Sequence, residues 1–357
     1  MGAPLARRAD LEGTEIRQLT FVDAGRVEWR DAPEPDPSDP AGAIVRPLAV
    51  ARCDVDLPMA AGGLFPGPFP VGHETVAEIV AVGDAVSERG IGERVLVPFQ
   101  VSCGVCEACR QGRFAGCHTY RAQIGAAFGF GQVGGGHGGA VSDLLAVPAA
   151  DHMLLPSPKG LPATMLSTLP DNVVDGYRAV GPQLSARPGA EVLVVGGAAV
   201  SIGLYAAAAA IALGSERVRY VDTDLSRCAS AEALGADVEH HQGPWPRRFN
   251  RALITVDATG DDAGLAATLR STDDYGTCTS VAIYFEGTTP IPLLDMYTHG
   301  VTFHASRADS RLLLPPVLEL VAHGRLDPLV VPTTVVPWEQ AAEAWLEPAT
   351  KLVLDRA

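Results

Sequence analysis

Cys103, Cys106, Cys109 and Cys117 constrain this chain more than any other feature. Four of its seven cysteines fall within fifteen residues, at intervals of three, three and eight. Thiolates are soft ligands, and four on one short loop can close a tetrahedron around Zn²⁺ with no coordination position left open. Gly104, Gly112 and Gly116 supply the backbone freedom such a wrapped loop requires. Chance clustering or two local disulfides are the competing readings, and neither accounts for a spacing that suits a closed site. The lobe around residues 100–120 is therefore expected to hold a structural zinc. A closed zinc performs no chemistry, so it braces a part of the chain that does.

Thiolates kept for metal point to a reducing compartment, with the cytoplasm as the default. The first thirty residues carry Arg7, Arg8, Asp10, Glu12 and Glu15 and no apolar core of a secretory signal. No run approaches the roughly 18 apolar residues of a membrane span. A formal charge of −15 repels polyphosphate and anionic lipid, which argues against nucleic acid or a membrane as partner. A length of 357 residues fits two ordinary domains.

The two halves differ in pattern. Residues 1–16 are polar and aperiodic, an expected loose arm, and from Arg17 short apolar runs alternate with turns at Pro33, Pro35, Pro37 and Pro40. Val76–Val82 and Arg94–Pro98 read as extended, Gly134–Gly139 as a loop, and no strong helical period appears before residue 156. Beyond Pro162–Asp171 the pattern becomes alternating: helix at Val173–Val180, a continuous apolar strand at Val192–Val195, helix at Leu204–Leu213, strand at Val218–Val221 ending in Asp222. Helices at Ser226–Leu234 and Asp261–Leu269 and strands at Ala252–Val256 and Thr277–Ile283 continue the alternation, which implies a parallel sheet. The end of the chain reads as helix Leu312–His323, strand around Leu329–Val335, helix Trp338–Leu346 and strand Lys351–Asp355.

Cys53 and the run Gly72-His73-Glu74 lie upstream of the zinc loop. Cys, His and Glu all ligate zinc, and a catalytic zinc keeps three protein ligands and one exchangeable position. Asp56 is placed to accept the other ring N–H of His73 and fix its tautomer. A third firm ligand is expected further along the chain.

The order Cys53, Gly72-His73-Glu74, four-cysteine lobe, then βαβ units resembles the zinc-containing medium-chain dehydrogenase/reductase family, from about Arg17 to Lys351–Asp355. The resemblance implies an α/β protein: a GroES-like β-rich catalytic domain over 1–172 and 305–357, and a Rossmann doubly wound parallel-sheet domain over 173–304. It implies Cys53, His73 and Asp171 as ligands of a catalytic zinc and Glu74 as a carboxylate able to swing on to the metal. Asp171 is placed by Asp171-Asn172-Val173-Val174-Asp175-Gly176, five residues before the glycine, and aspartate is the less common choice there. With the structural ion this makes two zincs per chain. The activity implied is hydride transfer between an alcohol, polyol or sugar alcohol and NAD, giving the aldehyde or ketone, in a homodimer or homotetramer.

A dinucleotide site needs a glycine-rich turn after the first strand and an acid about 20 residues beyond. Asp222, nineteen residues after Gly203, can hold the ribose hydroxyls and repel a 2′-phosphate, which favours NAD over NADP, and Arg227 resembles the basic residue near the adenosine ribose. The turn reads as irregular. Taking Gly196 as its first glycine and Gly203 as the helix-packing one makes it two residues longer than the G-x-G-x-x-G pattern, with Ala198 or Val200 in the middle-glycine position. Gly197, Ser201 and Ile202 then fall among the candidate cofactor-binding residues.

Proton release is the second irregularity. Val55 and Pro58 stand where relatives of the family carry a hydroxyl and a histidine, so Asp54, Asp175 or a water near Glu74 become the candidate routes. His137 reads as a solvated loop residue or a cleft residue, Phe65, Phe69 and Phe128 as pocket or core, and Cys228 and Cys278 as inert buried thiols. The alternative to an enzyme is a weakly active or non-catalytic zinc- and dinucleotide-binding protein with an altered turn and relay.

Overall fold

The apolar alternation of the first half closes into a β-rich unit. The computed structural model describes residues 6–7, 15–35 and 39–356, with residues 6 and 7 as backbone alone. The arm expected over 1–16 therefore lies mostly outside the described residues, as does Pro37. One compact unit takes residues 1–171, 309–318 and 333–357. Its strands are β1 (Ala6–Arg7), β2 (Ile16–Asp23), β3 (Arg26–Ala32), β4 (Ala43–Arg52), β5 (Phe69–Pro70), β6 (Glu74–Val82), β7 (Arg94–Val97), β8 (Leu145–Val147) and β9 (Leu155–Pro156). Helices are short: α1 (Asp56–Gly62), α2 (Glu107–Arg110), α3 (Ala150–Met153) and α4 (Ala163–Leu166). The eight-stranded sheet runs β16-β17-β4-β6-β7-β9 with β1 on β6 and β8 on β4, where β16 is Thr333–Pro337 and β17 is Lys351–Asp355. Leu19, Val45, Val50, Ile79, Val97 and Trp345 form part of its core.

Val192–Val195 starts the other unit, residues 172–308 and 319–332. All four of these side chains are buried, because helices pack on the sheet that contains them. The elements are α5 (Val174–Ala186), β10 (Val192–Val195), α6 (Val200–Ala212), β11 (Val218–Asp222), α7 (Leu225–Leu234), β12 (Asp237–His240), β13 (Ala252–Asp257), α8 (Asp262–Arg270), β14 (Thr272–Ser280), α9 (Leu293–His299) and β15 (Thr302–Ala305). The six strands are parallel in the order β12-β11-β10-β13-β14-β15. The order reverses direction at β10, between β11 and β13, and the carboxyl ends there frame the crevice where ligands of such sheets bind.

Several boundaries differ from the sequence expectation. Helix α6 begins at Val200, four residues before Leu204. Strand β14 starts at Thr272, because parallel pairing with β13 begins there, and it ends at Ser280. The strand expected around Leu329–Val335 is split into a 3₁₀ turn, Pro328–Val330, and β16, while Trp338–Leu346 becomes a 3₁₀ turn followed by α11 (Ala341–Ala344). Helix α10 (Ser310–Ala322) is followed by residues 323–332, which cluster with the second unit although the sequence reading places them in the first. Arg325 holds them there by donating to the Ala212 carbonyl at the end of α6. No helix among the described residues is long and apolar enough to cross a membrane.

Candidate active site

The four lobe cysteines converge without disulfides: Cys106 Sγ lies 3.5 Å from Cys109 Sγ and 3.9 Å from Cys117 Sγ, and Cys117 Sγ is 3.7 Å from Cys103 Sγ. Four Zn–S bonds of about 2.3 Å span a tetrahedron with edges of about 3.8 Å, so these separations fit one ion. N–H and O–H groups aim at the sulfurs: Cys106 N and Thr119 Oγ1 donate to Cys103, and His118 N donates to Cys106. Backbone N–H groups at Cys109 and His118 pull the Cys106 thiol down to about 5, which favours the ligating thiolate.

The second cluster grows from strand ends. Cys53 follows the last residue of β4, His73 precedes β6, and Glu74 is its first residue, directly opposite Ala51 on β4. Asp171 comes from a π-helical turn, Leu169–Val173, ahead of α5. All four are buried, and each offers a ligand atom within 4.8 Å of the others. His73 Nε2 lies 3.1 Å from Asp171 Oδ2. Asp56, in the first turn of α1, accepts the Cys53 N–H at 2.9 Å. Its other oxygen faces His73 Nδ1 at 3.6 Å, beyond hydrogen-bond length, and neither of those two buried atoms bonds elsewhere. The orienting contact expected for Asp56 is thus an approach rather than a bond.

Electrostatics make the cluster cation-seeking. Burial alone would push the His73 imidazolium down, yet Asp56, Asp171 and Glu74 drive it up to about 9. Burial and the neighbouring Asp171, Glu74 and Asp56 charges hold the Cys53 thiol far above its usual range. Burial also opposes ionisation of Asp171, but the His73 hydrogen bond and charge keep it below the usual carboxylate range. Thiol, imidazole and carboxylates crowded out of water need a positive centre, and this donor set suits zinc. Glu74 is not loose: Lys351 Nζ, on β17, donates to its Oε1 at 2.6 Å, with both side chains fully buried. Sequence reasoning missed Lys351 as a site residue.

Phe99 and Phe130 pack on the His73 ring at centroid distances of 5.5 and 5.0 Å, and Phe65 meets Phe130 edge-on at 6.2 Å. Phe69 and Phe128 are buried core, Phe69 against Phe21. His137 packs on Tyr120 and lines a separate cavity of about 380 Å³ with Asp39 and Ala146. Asp175, one of the relay candidates, is paired with Arg178 at 2.6 Å. Cys228 and Cys278 are buried and unbridged, and burial raises both thiols.

At the second unit's crevice the turn is of ordinary length, which corrects the irregular reading. Gly196–Ala199 link β10 directly to α6 at Val200, so the six-residue pattern is Gly196-Gly197-Ala198-Ala199-Val200-Ser201. Ala198 takes the middle-glycine position and Ser201 the third. Ser201 is buried and donates to Asn172, Ile202 follows it in the first turn of α6, and Gly203 packs where a Cβ would stand 3.2 Å from Ala258. Gly196 is required by Asp222, whose Oδ2 would lie 2.1 Å from an added Cβ. Asp222 itself is fully buried and accepts from Arg227 Nε and Nη2, Tyr220 Oη and Asp224 N at 2.7–3.0 Å.

Residues 39–159 match the family model described as an alcohol dehydrogenase GroES-like domain. A Mycobacterium tuberculosis protein named "Probable zinc-binding alcohol dehydrogenase" is 30% identical over 341 residues, spanning 92% of this chain and 84% of its own. The chain belongs to the zinc-containing medium-chain dehydrogenase/reductase family. NADP-dependent isopropanol dehydrogenase of Thermoanaerobacter brockii, another relative, is 28% identical over 336 residues, covering 90% of this chain and 92% of that one. Among solved structures, alcohol dehydrogenase TADH from Thermus sp. ATN1 has a TM-score of 0.86 at 27% identity, covering 95% of this chain and 99% of that chain. As a member of this zinc dehydrogenase family the chain is an oxidoreductase acting on CH–OH groups with zinc and a nicotinamide dinucleotide.

Proposed function

We propose that the chain interconverts a small alcohol or polyol and its aldehyde or ketone with NAD, using a catalytic zinc at Cys53, His73 and Asp171 and a structural zinc at Cys103, Cys106, Cys109 and Cys117. The convergence of Cys53, His73, Glu74 and Asp171 carries this reading. Zinc bound there supplies Lewis acidity that favours an alkoxide near neutral pH or polarises a carbonyl. The chain's residues do the rest. Asp56 approaches the far ring nitrogen of His73 and limits its rotation, Phe99 and Phe130 pack on that ring, and Lys351 restrains Glu74. With Val55 and Pro58 unable to relay a proton, Asp54 or water beside Glu74 provides the exit. A zinc–thiolate lobe suits a reducing compartment, the cytoplasm.

Asp222 supports NAD. A carboxylate accepts about four hydrogen bonds, and Arg227, Tyr220 and Asp224 already supply four, so ribose hydroxyls compete with Arg227 for it. Asp224 nearby leaves the local balance negative, which opposes a 2′-phosphate. The Thermoanaerobacter relative's NADP dependence makes the direct comparison necessary. Exposed Leu293, Leu294 and Tyr297 on α9 support self-association.

The test combines metal counting with a screen of short alcohols, polyols and their carbonyls against NAD and NADP. About two zincs per chain, turnover favouring NAD, and loss of about one zinc together with turnover in Asp171→Ala are expected. One zinc in the wild type, or an Asp171→Ala protein with full metal and activity, would sink the assignment.

A further inference from the structure

Asp257 is a buried carboxylate that the chemistry above does not use. It ends β13, abreast of Val195 at the end of β10 and Ser280 at the end of β14, so it stands beside the point where the strand order reverses. Its Oδ1 accepts Thr259 Oγ1 at 2.6 Å and Thr259 N at 3.2 Å; its Oδ2 accepts Ser280 Oγ at 2.7 Å and Tyr284 Oη at 2.9 Å. Every acceptor direction is therefore filled, by Thr259 from the loop after β13 and by Ser280 at the end of β14 with Tyr284 from the loop that follows.

The network reaches the glycine turn. Thr259, held by Asp257 through both its amide and its hydroxyl, accepts the Ala198 N–H at 3.0 Å through its own carbonyl, and Ala258 accepts the Ala199 N–H at 3.0 Å. Gly197 lies so close that an added Cβ would stand 2.6 Å from the Thr259 carbonyl oxygen. The turn after β10 thus rests on the loop after β13, and one carboxylate ties that loop to the β14 end. A buried hub of this kind persists only while its donors are satisfied, since each unpaired partner carries a desolvation cost.

Position along the sheet says which part of a ligand this governs. The ribose-binding acid, Asp222, ends β11 on one side of β10, whereas Asp257 and Ser280 end β13 and β14 on the other. A dinucleotide whose adenosine half reaches Asp222 and whose pyrophosphate crosses the β10 turn lays its remaining half over β13 and β14.

We propose that Asp257 is the positioning residue for the nicotinamide half of the dinucleotide, fixing the Ala258–Gly260 and Val281–Tyr284 loops as one unit. This rests on the dinucleotide reading given above. Asp257→Asn replaces one acceptor oxygen with a donor facing donors, so one loop is released while the shape is kept. Tyr284→Phe and Ser280→Ala remove single donors and stand in if Asp257→Asn fails to fold.

The experiment measures NADH affinity by nicotinamide fluorescence, AMP affinity by calorimetry, and melting temperature on zinc-loaded full-length protein. Asp257→Asn should weaken NADH about tenfold or more, the loss of one charged hydrogen bond, while AMP affinity changes less than about twofold. Tyr284→Phe should show a smaller loss with the same split. Equal weakening of NADH and AMP, or unchanged NADH affinity in all three variants, overturns the proposal. If wild-type protein binds neither ligand, the dinucleotide reading itself fails and this inference falls with it.

Discussion

Lys351 is one of only two lysines in a chain with 27 basic residues, and it is fully buried. An ammonium is a compact point charge, suited to a narrow interior space where a guanidinium fork would not fit. Its partner is Glu74, on the strand beyond β4, so the two flank β4 from β17 and β6. Burial raises Glu74, and Lys351 is the neighbour that most opposes this. Removing the lysine takes away the hydrogen bond and the charge that most offset burial of the Glu74 carboxylate. Lys351→Met should cost about 3–5 kcal/mol in urea unfolding of the zinc-loaded protein, and adding Glu74→Gln should recover most of it. A single variant as stable as wild type would show that Glu74 is neutral without its partner. Asp171 came from the family resemblance, whereas Cys53, His73 and Glu74 were legible as candidate ligands because their residue types suit a metal ion. Lys351 was not, since a lysine opening an apolar strand reads as its polar boundary. The usable signal was its rarity.

Gly176 shows the same limit at the level of elements. It lies where α5 crosses α6, and an added Cβ would stand 2.7 Å from Ala206 N and 2.8 Å from Tyr205. The close crossing explains why α6 is alanine-rich and buried through most of its length. Gly176→Ala should be destabilising, because overpacking against backbone costs about 1–3 kcal/mol and outweighs the gain of up to about 1 kcal/mol in helix propensity. Thermal unfolding checks the sign, and a raised melting temperature would show that the helices can part cheaply. From the sequence, the alternation of Val192–Val195, Val218–Asp222 and Ala252–Asp257 with helices was readable, since buried parallel strands are continuous apolar runs. The start of α6 was not. Val200 and Ser201 carry no helical signal of their own, and taking Gly203 as the packing glycine made an ordinary turn look long. Strands β12 and β15 escaped as well: their side chains are largely exposed, so pairing rather than burial defines them.

At the scale of the molecule, each unit carries its own candidate site, the two clusters of potential metal ligands in the first and the crevice at the β10 turn in the second. The family resemblance pointed to that division more directly than composition did, which gave only a length with room for two cores. Composition was also silent about surfaces, where an apolar residue means something only once its neighbours are placed. In the second unit, Leu294 is 78% and Tyr297 85% exposed on α9, and Tyr275, 75% exposed, packs over Gly300 at the end of that helix. Gly300 leads into β15, the edge of the six-stranded sheet, whose outer backbone groups have no strand partner among the described residues. Large apolar side chains beside an open strand edge are costly in water and can be covered by a second copy. A net charge of −15 opposes non-specific clumping, which favours a defined contact over aggregation. The wild-type protein should therefore elute in size-exclusion chromatography with light scattering as a dimer or tetramer, and Leu294→Asp with Tyr297→Asp should shift it to the monomer mass while leaving zinc content unchanged. An unchanged oligomer in the double variant would move the contact away from this face, and a monomeric wild type would remove it altogether.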